Sequence, residues 1–180
     1  MTMFQKGEYI MYSNIGVCQV KDIGAPTEVA VDNSKRMYYT LCPVYQAGII
    51  YIPVDTKVFM RPLLKKEEVM ELIERIPEIE EDRVENSNLR ILSDRYEASF
   101  RTHACEDLIQ LIKTIHVKEK AVRQNGRQLG QTDQRYFKRA EELLYGEFAV
   151  VLELPLEEVR PYMERVLHQR CEKPEADREG

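Results

Sequence analysis

The chain has 180 residues, of which 43% are hydrophobic and 32% are charged, with a formal net charge of −5. This composition is typical of a globular protein with one generous domain or two small ones. The longest apolar run, Phe148 to Leu152, is far shorter than the roughly 20 residues that cross a bilayer, so we expect no membrane span. The first residues lack the basic start and apolar core of a signal peptide, which favours a cytoplasmic location.

Residues 1–64 carry short β-rich runs that are separated by turn residues. The predicted strands are Tyr9–Tyr12, Val17–Val20, Arg36–Val44 and Ile49–Ile52. Pro53 has no N–H to donate, which suits a strand end or a sheet edge. Four or five short strands with short connections predict a small barrel or a strongly bent antiparallel sheet.

After residue 65 the apolar spacing changes to that of helices. The apolar stripes of five predicted helices start at Val69, Leu89, Leu108, Phe137 and Leu156. Thr132 is the predicted N-cap of the fourth helix, with Asp133 in its first turn, and Pro161 argues against an unbroken fifth helix. The predicted fold class is therefore α+β, with a β module at 1–64, a helical domain at 65–170 and a flexible tail at 171–180.

The sequence contains no catalytic signature. The three histidines are far apart, and the four cysteines form no CxxC pair, which favours buried or incidental thiols over a disulfide framework or a zinc site. We therefore expect no enzyme activity, no metal, no cofactor and no small-molecule substrate. A thiol-based sensor built on Cys105 and Cys171 is an alternative that the sequence leaves open.

Charge is distributed unevenly along the helical part. Residues 88–140 hold 11 Lys and Arg against 6 Asp and Glu, whereas residues 141–180 hold 5 against 11. A polyanion meets a local surface, so one interpretation of the basic block is that it binds a phosphate backbone without sequence specificity. The alternative is an ordinary solvated helix surface.

Several short patterns resemble a known family. Phe4-x-x-Gly7-Glu8-x-x-x-Tyr12, then Gly16-Val17, Tyr38-Tyr39 and Tyr51-Ile52-Pro53-Val54, are similar to the RNA-polymerase-interacting module of CarD-like bacterial transcription regulators. A related module occurs in transcription-repair coupling factor. Leu92-Ser93-Asp94-Arg95-Tyr96 and the run from Leu129 to Glu147 resemble the helical domain of the same family.

The resemblance implies a Tudor-like module that pairs its sheet edge with the β subunit of bacterial RNA polymerase. The residues that this implies for polymerase binding are Tyr38, Tyr39, Ile50, Tyr51, Ile52 and Pro53. For Ile50 and Ile52 the alternative is that they fill the core of the module.

The resemblance also implies that the helical domain contacts promoter DNA near the upstream edge of the melted region, where family members place a tryptophan wedge. This chain contains no tryptophan, and the residue at the matching position is Leu92. The implied DNA-binding residues are Leu92, Arg95, Arg135, Lys138 and Arg139, and the alternative for Leu92 is a core position. The predicted function is a regulator that modulates open-complex stability; the alternative is a polymerase- or protein-binding adaptor whose helical domain does not bind DNA.

Overall fold

The computed structural model describes residues 3–26, 36–83 and 88–172. The chain divides into two compact units, Met1–Leu63 and Leu64–Gly180. The first unit is an antiparallel sheet and the second is helical, which confirms the predicted α+β fold class. Of the predicted tail, Cys171 and Glu172 belong to the last helix, and residues 173–180 lie outside the described part.

Five strands form the sheet within the described residues: β1 Tyr9–Tyr12, β2 Gly16–Gly24, β3 Tyr38–Pro43, β4 Ile50–Pro53 and β5 Met60–Pro62. Their order is β4-β3-β2-β1-β5, and every neighbouring pair is antiparallel. β4 and β5 are therefore the two edges. Inward-facing side chains from β1 to β4 pack with Phe4 into one small core, whose members are Ile10, Cys18, Val20, Tyr39, Leu41 and Ile52.

The segment before β1 explains the Phe4-x-x-Gly7 pattern. The main-chain N–H of Phe4 donates to the hydroxyl oxygen of Tyr39 over 3.2 Å, and the two rings meet edge to face at 6.0 Å. Gly7 has a φ of +89°, which favours glycine, and its N–H donates to the Val20 carbonyl over 2.7 Å. The segment is thus held to β2 by main-chain hydrogen bonds and to Tyr39 of β3 by Phe4.

The described part of the second unit contains the five helices α1 Lys66–Arg75, α2 Leu89–Arg101, α3 Cys105–Gln124, α4 Gln131–Leu152 and α5 Leu156–Glu172. A 3₁₀ turn, Ile76–Glu78, follows α1. The N-cap of α4 is Gly130, so the predicted cap at Thr132 is wrong by two residues. α5 is continuous through Pro161. None of the helices that the structure describes combines the length and the hydropathy that a bilayer-spanning segment requires.

A buried carboxylate ties three parts of the helical unit together. Glu147 of α4 is fully buried; its Oε1 accepts the N–H of Leu64 over 2.9 Å, and its Oε2 accepts the thiol of Cys105 over 3.2 Å. Because buried polar groups are stable only when they are hydrogen-bonded, this arrangement fixes the start of the unit and of α3 against α4.

Candidate functional site

β4 is an edge strand of the sheet in the part of the chain that the structure describes. Among the described strands it pairs only with β3, in the register Leu41 opposite Ile50 and Tyr38 opposite Pro53. The N–H of Val54 donates to the Met37 carbonyl over 3.1 Å. Bonded pairs alternate along an antiparallel ladder, so the main-chain groups of Ile50 and Ile52 point toward β3 and those of Tyr51 point away from it.

The predicted polymerase-binding side chains fall into two groups. Tyr39 and Ile52 are buried, and Ile50 packs against the same core, which favours the core alternative for both isoleucines. Tyr38, Tyr51 and Pro53 are half-buried. β3 lies between β2 and β4, so the predicted participation of Tyr38 and Tyr39 in a sheet edge is not supported by the topology. Among the described strands, β4 alone forms the edge on this side of the sheet.

Leu92 lies in the core of the helical unit. Its side chain is 5% exposed and shares the buried face of α2 with Tyr96 and Phe100. The exposed apolar side chains of α2 are instead Leu89 (68%) and Ile91 (53%). A wedge at Leu92 would require α2 to leave its neighbours, so the structure favours the core alternative here too.

Three of the four predicted DNA-binding cations form ion pairs within the helical unit. Arg95 lies 3.2 Å from Asp82, and Lys138 lies 3.7 Å from Glu142. Arg139 lies 2.9 Å from Glu97 and stacks over the Phe100 ring at 4.2 Å.

Arg135 differs from these three cations. It stacks over Tyr136 at 5.0 Å, is exposed, and makes no ion pair with any residue that the structure describes. The ion pair of Lys138 is more exposed than that of Arg139. Exposed ion pairs are worth only about 0–1 kcal/mol, so phosphates can compete for Lys138 more readily than for Arg139.

A polar cluster that the sequence did not indicate joins α2, α3 and α4. Asp133 is buried and accepts both the Tyr96 hydroxyl over 2.6 Å and the Lys118 ammonium over 2.8 Å. Burial, together with the Asp133 carboxylate beside it, raises the pKa of Tyr96, so the phenol remains a donor. The sequence showed Asp133 only as a favourable charge in the first turn of a helix.

The cysteines form no disulfide among the described residues, and none of those residues groups into a cluster that could hold a metal ion. Cys18 and Cys105 are buried, and Cys171 is exposed. Burial raises the pKa of the Cys18 thiol to about 11, so this thiol stays neutral at physiological pH.

The sheet coincides with a known domain family. A family model described as the CarD-like/TRCF RID domain, where RID stands for RNA-polymerase-interacting domain, matches residues 4–64. The match includes all five strands and ends where the helical unit begins. No curated protein matches the chain.

Proposed function

Because residues 4–64 form a CarD-like RNA-polymerase-interacting domain, we propose that this transcription-related protein docks on the β subunit of bacterial RNA polymerase through the β4 edge. The observation that carries the proposal is that the matched segment forms a sheet with β4 at its edge. Strand addition gains affinity from main-chain hydrogen bonds and therefore tolerates variation in the side chains of the edge. The site of action is the bacterial cytoplasm, where the polymerase works.

The second part of the proposal concerns the helical unit, which contacts upstream promoter DNA without reading its sequence. Exposed cations, Arg135 above all, support this part, because phosphate contacts add affinity that depends on salt and not on sequence. Contacts made only with melted DNA lower the free energy of the open complex, and each 1.4 kcal/mol, roughly, changes its population tenfold.

A second candidate function is a polymerase- or protein-binding adaptor whose helical unit does not bind DNA. The ion pairs of Arg95, Lys138 and Arg139 favour it, because these cations already have carboxylate partners. The burial of Leu92 favours it as well.

The subunit assignment is tested by titrating the full-length chain against bacterial core polymerase and against the isolated β subunit, with biolayer interferometry as the readout. We expect comparable dissociation constants, since the docking surface is proposed to lie on β alone. Binding to core polymerase without binding to β would move the interface to another subunit.

A further inference from the structure

Six large apolar side chains are exposed at one end of the sheet. Because all neighbours are antiparallel, β1 and β3 end where β2, β4 and β5 begin. Two hydrogen bonds hold the flanking loops there: Val44 N–H to the Val17 carbonyl, and Ser13 N–H to the Phe59 carbonyl, each 2.9 Å. The exposed fractions range from 37% to 52% for the residues of this apolar sheet end, which are Ile15, Val44, Tyr45, Ile49, Val58 and Phe59.

Four of the six residues of the apolar sheet end lie in uncharged stretches of the chain, whereas Lys57 directly precedes Val58. Residues 9–20 and 37–54 contain no Asp, Glu, Lys or Arg, although 32% of the chain is charged. A surface of this kind is unsuited to a phosphate backbone, which cations must contact. Exposed apolar clusters on small units instead mark protein–protein contacts, whose buried centres are depleted of charge.

The β4 edge alone is small for a specific interface. Four residues of strand span about 13 Å, whereas a standard interface buries roughly 800 Å² on each partner. Five strands side by side make the apolar sheet end up to about 19 Å wide. Ile49, which directly precedes β4, connects the two surfaces. A polymerase strand that pairs with β4, whether parallel or antiparallel, therefore has one of its two ends next to Ile49.

We propose that the apolar sheet end is a second contact with RNA polymerase, continuous with the β4 edge, and that it buries against an uncharged apolar surface beside the added strand. The inference rests on the proposed docking of β4. Main-chain pairing sets the direction and register of the polymerase strand. Burial of the apolar sheet end then fixes the rotation of the β unit about the axis of that strand.

The test uses residues of the apolar sheet end that are remote from β4. Ile15 lies in the turn between β1 and β2, and Val58 precedes β5, so changes there leave the pairing of β3 and β4 intact. We expect Ile15→Glu and Val58→Glu in the full-length chain each to weaken binding to purified bacterial polymerase by at least about tenfold. The matched control is Tyr9→Glu, because Tyr9 is 41% exposed at the other end of the same hairpin, and its affinity should not change. If either glutamate variant fails to fold by circular dichroism, serine at the same position removes the apolar surface without adding charge.

The second contact would be overturned if the Ile15 and Val58 variants bind polymerase with wild-type affinity while a Tyr51→Pro variant of the β4 edge loses binding. That result would leave the β4 docking intact. An equal loss for Tyr9→Glu would also overturn it, because the effect would not belong to this end. If the wild-type chain self-associates and the Ile15 and Val58 variants do not, the apolar sheet end binds a second copy of the chain instead of polymerase. Unchanged binding of every variant, Tyr51→Pro included, would refute the β4 docking itself.

Discussion

At the scale of single residues, Leu92 separates the two candidate roles of the helical unit. In the sequence, Leu89, Leu92, Tyr96 and Phe100 have the spacing of one helical face, and the structure buries all of them except Leu89. Helical spacing indicates which residues share a face, but it does not show which end of the stripe reaches solvent. The wedge that the resemblance implies therefore has no exposed counterpart at position 92.

The Asp133 cluster gives a prediction for one hydroxyl. Tyr96→Phe removes a buried hydrogen bond to a carboxylate, and such bonds are worth about 1.5–3 kcal/mol. We expect the free energy of unfolding of the helical unit to fall by about this amount, measured by denaturant titration with helical circular dichroism.

Tyr162→Phe is the matched control for that measurement. The Tyr162 hydroxyl donates only to the weak acceptor Met70 Sδ, 3.2 Å away, among its described partners. Its loss should change stability by less than about 0.5 kcal/mol. Equal effects of the two variants would show that the Asp133 cluster contributes nothing special.

At the scale of elements, the sequence predicted most strands and helices, and it missed what depends on weak local signals. β1 to β4 are bounded by turn residues and were located within a few residues. β5 was not located, because three residues ending in Pro62 carry no alternating pattern. Gly130 caps α4 without a side-chain hydrogen bond, so the usual polar cap signal at Thr132 was misleading.

α5 contains a proline whose removal should stabilise the helix. Pro161 lies inside α5, where it has no N–H to donate to the Glu157 carbonyl one turn earlier. We expect Pro161→Ala to raise the free energy of unfolding by about 1–3 kcal/mol, measured by denaturant titration. Pro155→Ala, just before the helix, should change it by less than about 0.5 kcal/mol. A Pro161→Ala variant no more stable than the wild type would contradict this account of α5.

At the scale of the whole molecule, the charge blocks were visible in the sequence and their pairing was not. Residues 88–140 are rich in cations, but Arg139 meets Glu97 and Lys118 meets Asp133 only because α2, α3 and α4 pack together. The apolar sheet end was missed for a related reason. Its residues look like strand cores in sequence, and only the topology shows that they gather at one end of a small sheet.

DNA contact by the helical unit predicts a change in salt dependence. Arg135→Ala should flatten the slope of log K against log salt by about 0.9 for binding to a promoter–polymerase complex, with no change for polymerase alone. Arg165→Ala is the matched control, because Arg165 also stacks on a tyrosine, Tyr162 at 5.9 Å. A slope that is the same with and without promoter DNA would favour the adaptor instead.

The most direct test of the central claim compares two substitutions at Tyr51, measured as the affinity of the full-length chain for purified bacterial RNA polymerase. Tyr51→Pro replaces the N–H that points away from β3 with a ring and leaves the β3 pairing of Ile50 and Ile52 intact. Tyr51→Ala removes the same side chain but keeps that N–H. Docking by strand addition predicts at least about tenfold weaker binding for the proline variant and a change within about threefold for the alanine variant. Equal affinities of the two variants would contradict docking through the β4 edge.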